Sequence, residues 1–224
     1  MISIKDNLDA VELQINNACQ LANRERTSVK LLAVSKTKPI ELIEQAYQCG
    51  QRAFGENYVQ EVSDKAQQLE HLQDIVWHFI GPIQSNKTRQ IAQHCHWVHS
   101  VDRAKIITRL NDHRYSHDTP LNVCLQVNIS EEASKSGATV EEVYELAKLV
   151  DQSNSLVLRG LMAIPEKDNA NDSFAKMNAL YNSLKDQYNS VDTLSMGMSG
   201  DLTSAIRHGS TMVRIGTAIF GRRD

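Results

Sequence analysis

The sequence predicts an α/β protein, a single (β/α)8 TIM barrel preceded by one extra N-terminal helix. Three observations carry that expectation. Eight short apolar or alternating stretches suited to strands recur along the 224 residues. Each is followed by sequence with a helical repeat, and strands alternating with helices imply a parallel sheet. Eight such units are the number that closes a barrel, and chains of this length suffice for one. A doubly wound open sheet competes, but no G-x-G-x-x-G follows the first strand, which weakens its dinucleotide-binding form.

Taken in order, Ser3 is placed to cap a first helix, with Asp6 three residues on. Ile4, Leu8, Val11, Ile15, Ala18 and Ala22 then give that helix one apolar face. Residues 31–35 read as a buried strand running into Lys36. Pro39 fits the start of the next helix, where its missing N–H costs nothing, and Gly50 ends it. A strand over 52–57 precedes a helix over 58–72, and a strand over 75–80 closes at Gly81-Pro82. Ser85 or Asn86 is expected to cap a short helix, 96–99 is a weak strand, and Asp102 is expected to cap the helix that buries Ile106, Ile107 and Leu110. Residues 121–128 alternate as a strand, and Thr139 with Glu142 forms a capping box. A strand over 156–164 is stopped by Pro165, and Phe174, Met177, Tyr181, Leu184 and Tyr188 mark the next helix. Strands over 193–196 and 212–215 bracket a helix over about 200–209, and a short segment begins at Gly216.

Composition narrows the function. The net charge of −3 offers no broad basic field for nucleic acid. No window approaches the length of a membrane span. The N-terminus lacks the apolar core of a signal peptide, so a cytoplasmic protein is expected. Cys19, Cys49, Cys95 and Cys124 are scattered without a CxxC pair and read as plain thiols. No Pro/Gly/Ser-rich linker divides the chain, so residues 1–224 are expected to form a single domain. His94, His96 and His99 hint at a metal, but strand alternation puts His99 on the opposite face from the other two, and no metal site is expected. His78 reads as a satisfied core histidine. Glu56 and Asp201 are candidates for orienting neighbours or for plain cap and surface roles. Glu131, Glu132, Glu141 and Glu142 read as the solvated approach to a helix.

In a barrel the site is built from the loops at the carboxyl ends of the strands. Ser199-Gly200-Asp201 and Gly216-Thr217-Ala218 open the last two helical segments. Helix N-termini present free N–H groups and positive dipole ends, glycines allow close approach, and Ser199 and Thr217 add hydroxyls, which together suit a phosphate. Two ordinary capped helices are the alternative. Lys36 lies at the end of the first strand, next to the eighth in a closed barrel. It is either a solvated rim lysine or an amine able to form a Schiff base with a carbonyl, which requires a neutral amine. Lys38 is a candidate cation for lowering its pKa, or an exposed loop lysine. Arg214, if it points inward, can donate to a ring nitrogen but never accept, which keeps that nitrogen unprotonated. If it points outward it pairs with a helix acid.

Several runs resemble the YggS/PROSC family of pyridoxal phosphate homeostasis proteins. They are 32–38, Phe54-Gly55-Glu56-Asn57-Tyr58-Val59-Gln60-Glu61, Trp77-His78-Phe79-Ile80-Gly81-Pro82 with Gln84-Ser85-Asn86-Lys87, Lys135-Ser136-Gly137, Arg159-Gly160-Leu161-Met162, Gly197-Met198-Ser199 with Asp201, and 213–221. The resemblance spans roughly residues 31–221. It implies a barrel like the N-terminal domain of alanine racemases, monomeric, binding pyridoxal 5′-phosphate as a Schiff base on Lys36. It also implies phosphate contacts from Ser199, Gly216 and Thr217, with Arg214 near the pyridine nitrogen and Asn57 and Met162 as wall contacts. Gly200, in the same phosphate loop, stands at a position that varies in the family. The implied role is cofactor binding and vitamin B6 and amino-acid homeostasis, with pyridoxal phosphate-dependent apo-enzymes as recipients and without robust catalysis. Racemases of this barrel type draw a second base from a following β-domain, and the chain ends three residues after Gly221, so racemization is expected to be weak. A slow amino-acid racemase is the first alternative. The second is a class I aldolase, in which Lys36 attacks a substrate carbonyl.

Overall fold

A computed structural model describes residues 3–130, 136–165 and 170–222. Lys135, Glu131 and Glu132 of the sequence motifs lie outside the described residues. The strands are β1 (Lys30–Val34), β2 (Ala53–Glu56), β3 (Val76–Phe79), β4 (Trp97–Val101), β5 (Leu121–Gln126), β6 (Leu156–Met162), β7 (Thr193–Ser195) and β8 (Met212–Ile215). They pair in sequence order as a closed parallel barrel, with β8 returning to β1. The helices are α1 (Ile4–Leu21), α2 (Ile40–Gln48), α3 (Val59–Gln68), α4 (Thr88–His94), α5 (Ala104–Arg114), α6 (Val140–Asp151), α7 (Ala170–Lys185), α8 (Leu202–Arg207) and α9 (Thr217–Phe220). The expected barrel with a leading helix is the fold observed.

Local signals account for most boundaries. Ser3 Oγ accepts the Asp6 N–H at 3.2 Å and starts α1. Both halves of the Thr139–Glu142 capping box are made. α1 packs across α8, α9 and α2, and Arg24 beyond its end donates to the carbonyls of Ile206 at 2.8 Å and Ser210 at 2.7 Å. Those bonds tie the end of α1 to the last turn of α8 and to the loop that follows it.

Three expectations are corrected. Asp102 does not cap α5: the residue before the helix is Arg103, and Asp102 instead accepts from that guanidinium at 2.6 Å. Neither Ser85 nor Asn86 caps a helix, because Ser85–Lys87 form a 3-10 turn that runs directly into α4. The weak fourth strand is longer than its sequence suggested and buried throughout. Its histidine and serine break the apolar pattern because a barrel strand has two buried faces.

Those two faces have different chemistry. Between sheet and helices lies a continuous apolar layer that includes Ala33, Phe54, Phe79, Val98, Leu125, Leu161, Val213 and Ile215. Inside the barrel, Trp97, Cys124 and Met162 form a separate small cluster. Buried His78, His99, Ser195 and Arg214 complete that inner space. Barrel interiors are usually filled by branched aliphatic side chains, so this polar filling is a departure that calls for a reason.

Gly160 shows how closely the staves pack. It pairs with Thr193 across β6 and β7 at φ 144°, and a Cβ there would collide with the Thr193 carbonyl oxygen. Gly50 also has a positive φ, 97°, but its surroundings are open. Gly160→Ala is therefore expected to destabilise the fold by roughly 2–4 kcal/mol, and Gly50→Ala by about 1 kcal/mol, as read by urea unfolding followed by circular dichroism.

Candidate functional site

β1 delivers Ser35, Lys36 and Thr37 to the carboxyl end of the barrel. Register places the neighbours: Val34 pairs with Gly55, and Ala33 pairs with Ile215. Lys36 therefore emerges between Asn57, which follows β2, and Gly216-Thr217, which follow β8. It is half-buried, neither sealed in the core nor free on the rim. A side chain at Gly216 would stand 3.1 Å from the Val34 carbonyl oxygen, which measures how closely the end of β8 approaches β1. Lys38 leans away, donating to the Arg222 carbonyl at 2.6 Å.

Arg214 points inward. Its Nη1 donates to the Ser195 carbonyl at 2.6 Å and the Ser195 hydroxyl at 2.8 Å, and its Nη2 to the Ala163 carbonyl at 2.9 Å. Burial pulls its pKa down to about 10, so it stays charged at neutral pH. A guanidinium has five donors and no acceptor. Three donors are used among the described residues, leaving two.

Arg214 stands at one end of a buried hydrogen-bonded chain. The Ser195 oxygen receives from Arg214 and lies 3.0 Å from His99 Nδ1. His99 Nε2 in turn lies 2.9 Å from His78 Nδ1, so the three side chains form one hydrogen-bonded chain. The surroundings favour the neutral form of both rings. Burial, helped by the charge on Arg214, holds His99 at about 3. Burial, with neighbouring His99, holds His78 well below the ordinary range. Trp97 stacks on His78 with centroids 5.3 Å apart and planes 14° apart.

The other expected site residues divide. Gly216 precedes α9 and Thr217 begins it, exposed at the mouth. Ser199 and Gly200 lie in an exposed turn shaped by Asp201, whose carboxylate accepts the Met198 N–H at 2.6 Å. α8 starts only at Leu202. That turn lines a hollow of about 740 Å³ between α8 and α1, with Gln14, Asn17 and Arg207. Asn57 lines a separate cleft of about 330 Å³ at the mouth, with Gln126, Asn128 and Ile164. Its Oδ1 is buried without a partner among the described residues. Met162 is fully buried inside the barrel beneath the mouth. The three histidines that hint at a metal in the sequence stand apart. His94 is on α4, His96 accepts the Trp77 N–H at 3.0 Å, and His99 belongs to the buried chain. Among the described residues no group of three potential ligands is close enough to hold a metal.

Sequence reading missed Ser195, His99 and Lys65. Polar residues at inward positions of β3, β4, β7 and β8 were the signal for the first two. Lys65 stands four residues after Glu61 and looks like half of a surface ion pair, yet it is only 6% exposed. It donates to Glu56 Oε1 at 2.9 Å. Glu56 is fully buried at the end of β2, and burial pushes its pKa up to about 7 despite Lys65 and Ser35.

A carboxyl with a raised folded pKa favours the native state while protonated. Its contribution is full below the unfolded value of 4.5 and is lost as pH rises through about 7. The wild-type chain is therefore expected to lose stability between those values relative to Glu56→Gln, and unfolding midpoints measured across that range check the sign.

The model of the alanine racemase N-terminal domain family matches residues 7–224. The pyridoxal phosphate homeostasis protein of Vibrio alginolyticus is 56% identical over 231 residues, covering 100% of this chain and 99% of its own length. The protein of that name from Haemophilus influenzae is 53% identical over 233 residues, covering 100% and 97%. Among solved structures, PipY of Synechococcus elongatus with pyridoxal phosphate bound superposes with a TM-score of 0.82 at 32% identity, covering 97% of this chain and 100% of that one. By sequence over its whole length and by its barrel, the chain belongs to the pyridoxal phosphate homeostasis protein family.

Proposed function

We propose that the chain holds pyridoxal 5′-phosphate at the carboxyl end of the barrel, covalently on Lys36, and serves the cell's supply of that cofactor. In this reading residues 1–224 act as one cytoplasmic, monomeric binding domain. The cofactor passes on to pyridoxal phosphate-dependent apo-enzymes. One observation carries the reading: a half-buried lysine at the end of β1 stands beside the end of β8, whose inward Arg214 keeps two donors uncommitted among the described residues. The family membership and the cofactor-bound PipY relative support it.

The residues present fit the group. When bound, pyridoxal phosphate supplies an aldehyde that condenses with an amine and a pyridine ring that acts as an electron sink when its nitrogen is protonated. Lys36 would provide the amine for that condensation. The two remaining donors of Arg214 suit an unprotonated ring nitrogen. Arg214 cannot accept a proton from that nitrogen, and its positive charge opposes protonation there. That arrangement holds the cofactor while weakening the electron sink on which amino-acid chemistry relies, which favours a carrier over a racemase or an aldolase. The buried, unpartnered Asn57 Oδ1 at the mouth suits a polar group of the ligand. Gly216, Thr217, Ser199 and Gly200 supply backbone and hydroxyl donors for the phosphate, with Met162 closing the floor.

Addition of pyridoxal phosphate to the purified apo-protein is expected to produce a visible absorbance band that Lys36→Ala lacks. Thr217→Ala and Ser199→Ala are each expected to weaken cofactor affinity about tenfold, the loss of a hydrogen bond to a charged group. Unchanged affinity in both would overturn the phosphate assignment. Robust interconversion of amino-acid enantiomers by the loaded protein, lost in Lys36→Ala, would overturn the carrier role.

A further inference from the structure

The two neighbours of Lys36 are held from outside the barrel by a triad of titratable side chains that no binding role requires. Glu56 Oε1 accepts the Ser35 hydroxyl at 2.6 Å and Lys65 Nζ at 2.9 Å. Lys65 Nζ also donates to the Ser35 carbonyl at 2.9 Å and lies 3.5 Å from Glu61 Oε2. Glu61 Oε2 accepts the Thr37 N–H at 3.0 Å. The residue before Lys36 and the residue after it are thus both anchored to the same three side chains. A buried ion pair adds little net stability compared with apolar packing, so its presence asks for another reason. The backbone supplies one. Thr37 has φ 62°, a left-handed conformation that a β-branched residue avoids, and its N–H is the group Glu61 holds.

We infer that Glu56, Lys65 and Glu61 are positioning residues for Lys36: the triad locks the Ser35 and Thr37 backbone so that the lysine amine is presented to the mouth in one orientation. Glu56 ties the strand end to β2, Lys65 carries the tie across to α3, and Glu61 holds the strained turn from one helical turn away. The Ser35 N–H to Gly55 carbonyl bond, 3.0 Å, and the Lys38 N–H to Ser35 carbonyl bond, 3.0 Å, complete the frame. The flanks of Lys36 carry the constraint.

This inference rests on the proposed role of Lys36, and its test separates the two. Glu61 is the residue to change, because its side chain is 30% exposed and its loss opens no core cavity. Glu61→Ala frees the Thr37 N–H, whereas Glu61→Gln restores an acceptor there without the charge. The first readout needs no cofactor. The apo-protein is reductively methylated with formaldehyde and cyanoborohydride across a pH series, and Lys36 labelling is quantified by peptide mapping against exposed Lys148. The second readout is pyridoxal phosphate affinity. The expected result is a displaced Lys36 pH profile and roughly tenfold weaker cofactor binding in Glu61→Ala, both recovered to within about twofold in Glu61→Gln. A loss of stability alone would not produce that pattern of displacement and rescue. A Lys36 profile unchanged in Glu61→Ala, or equally displaced in Glu61→Gln, overturns the inference. If the wild-type protein takes up no cofactor while the labelling profile still responds, the positioning role stands and the cofactor reading falls.

Discussion

Four in-register pairs join β1 to β8, from Lys30 with Met212 to Ala33 with Ile215, and close the sheet on itself. The site depends on that closure. Residues nearly two hundred positions apart in sequence become neighbours at the carboxyl end of the barrel, so that Lys36 rises beside Gly216 and Thr217. The same pairing puts Leu32 opposite Arg214, one layer below the mouth. Without closure, a lysine at one end of the chain and a glycine-threonine turn at the other would not be neighbours, and the proposed ligand could not reach both. Small residues allow the approach. Gly216 leaves room for the Val34 carbonyl, and Gly160 lets β6 lie against β7.

The polar filling beneath the mouth follows from one charged group. Burying a guanidinium is costly unless its donors are met. The Ser195 carbonyl and hydroxyl and the Ala163 carbonyl meet three of them. The hydroxyl contacts His99, and His99 contacts His78, with Trp97 stacked on the last of them. Those three bonds to the guanidinium offset part of the cost of keeping the charge at that depth.

Much of this was legible in the sequence, and the omissions have physical causes. The strands announced themselves because a parallel barrel buries both faces and leaves continuous apolar runs, as in residues 31–35. Lys36, Gly216 and Thr217 drew notice in the sequence because strand ends carry sites in barrels, and the β1–β8 pairing makes their strand ends neighbours. Asp102 misled because an acid before a helix usually caps it, whereas here the adjacent Arg103 takes its carboxylate. β4 looked weak because Trp97 and His99 face an interior that is polar for the sake of Arg214. Lys65 could not be found from spacing, since a Glu-Lys pair four apart reads the same on a surface and in a core. The family resemblance, not periodicity, singled out Asn57 and Met162. The structure places the first at the mouth and the second inside the barrel, in layers that spacing alone does not distinguish.

The function proposed for the barrel turns on a covalent bond at one amine. Borohydride reduction of the protein after incubation with pyridoxal phosphate, followed by peptide mass mapping, reads that bond directly, because reduction makes the adduct permanent at whichever lysine formed it. The predicted result is a single pyridoxyl adduct on the peptide that carries Lys36. An adduct distributed over other lysines, or none on Lys36, would contradict it.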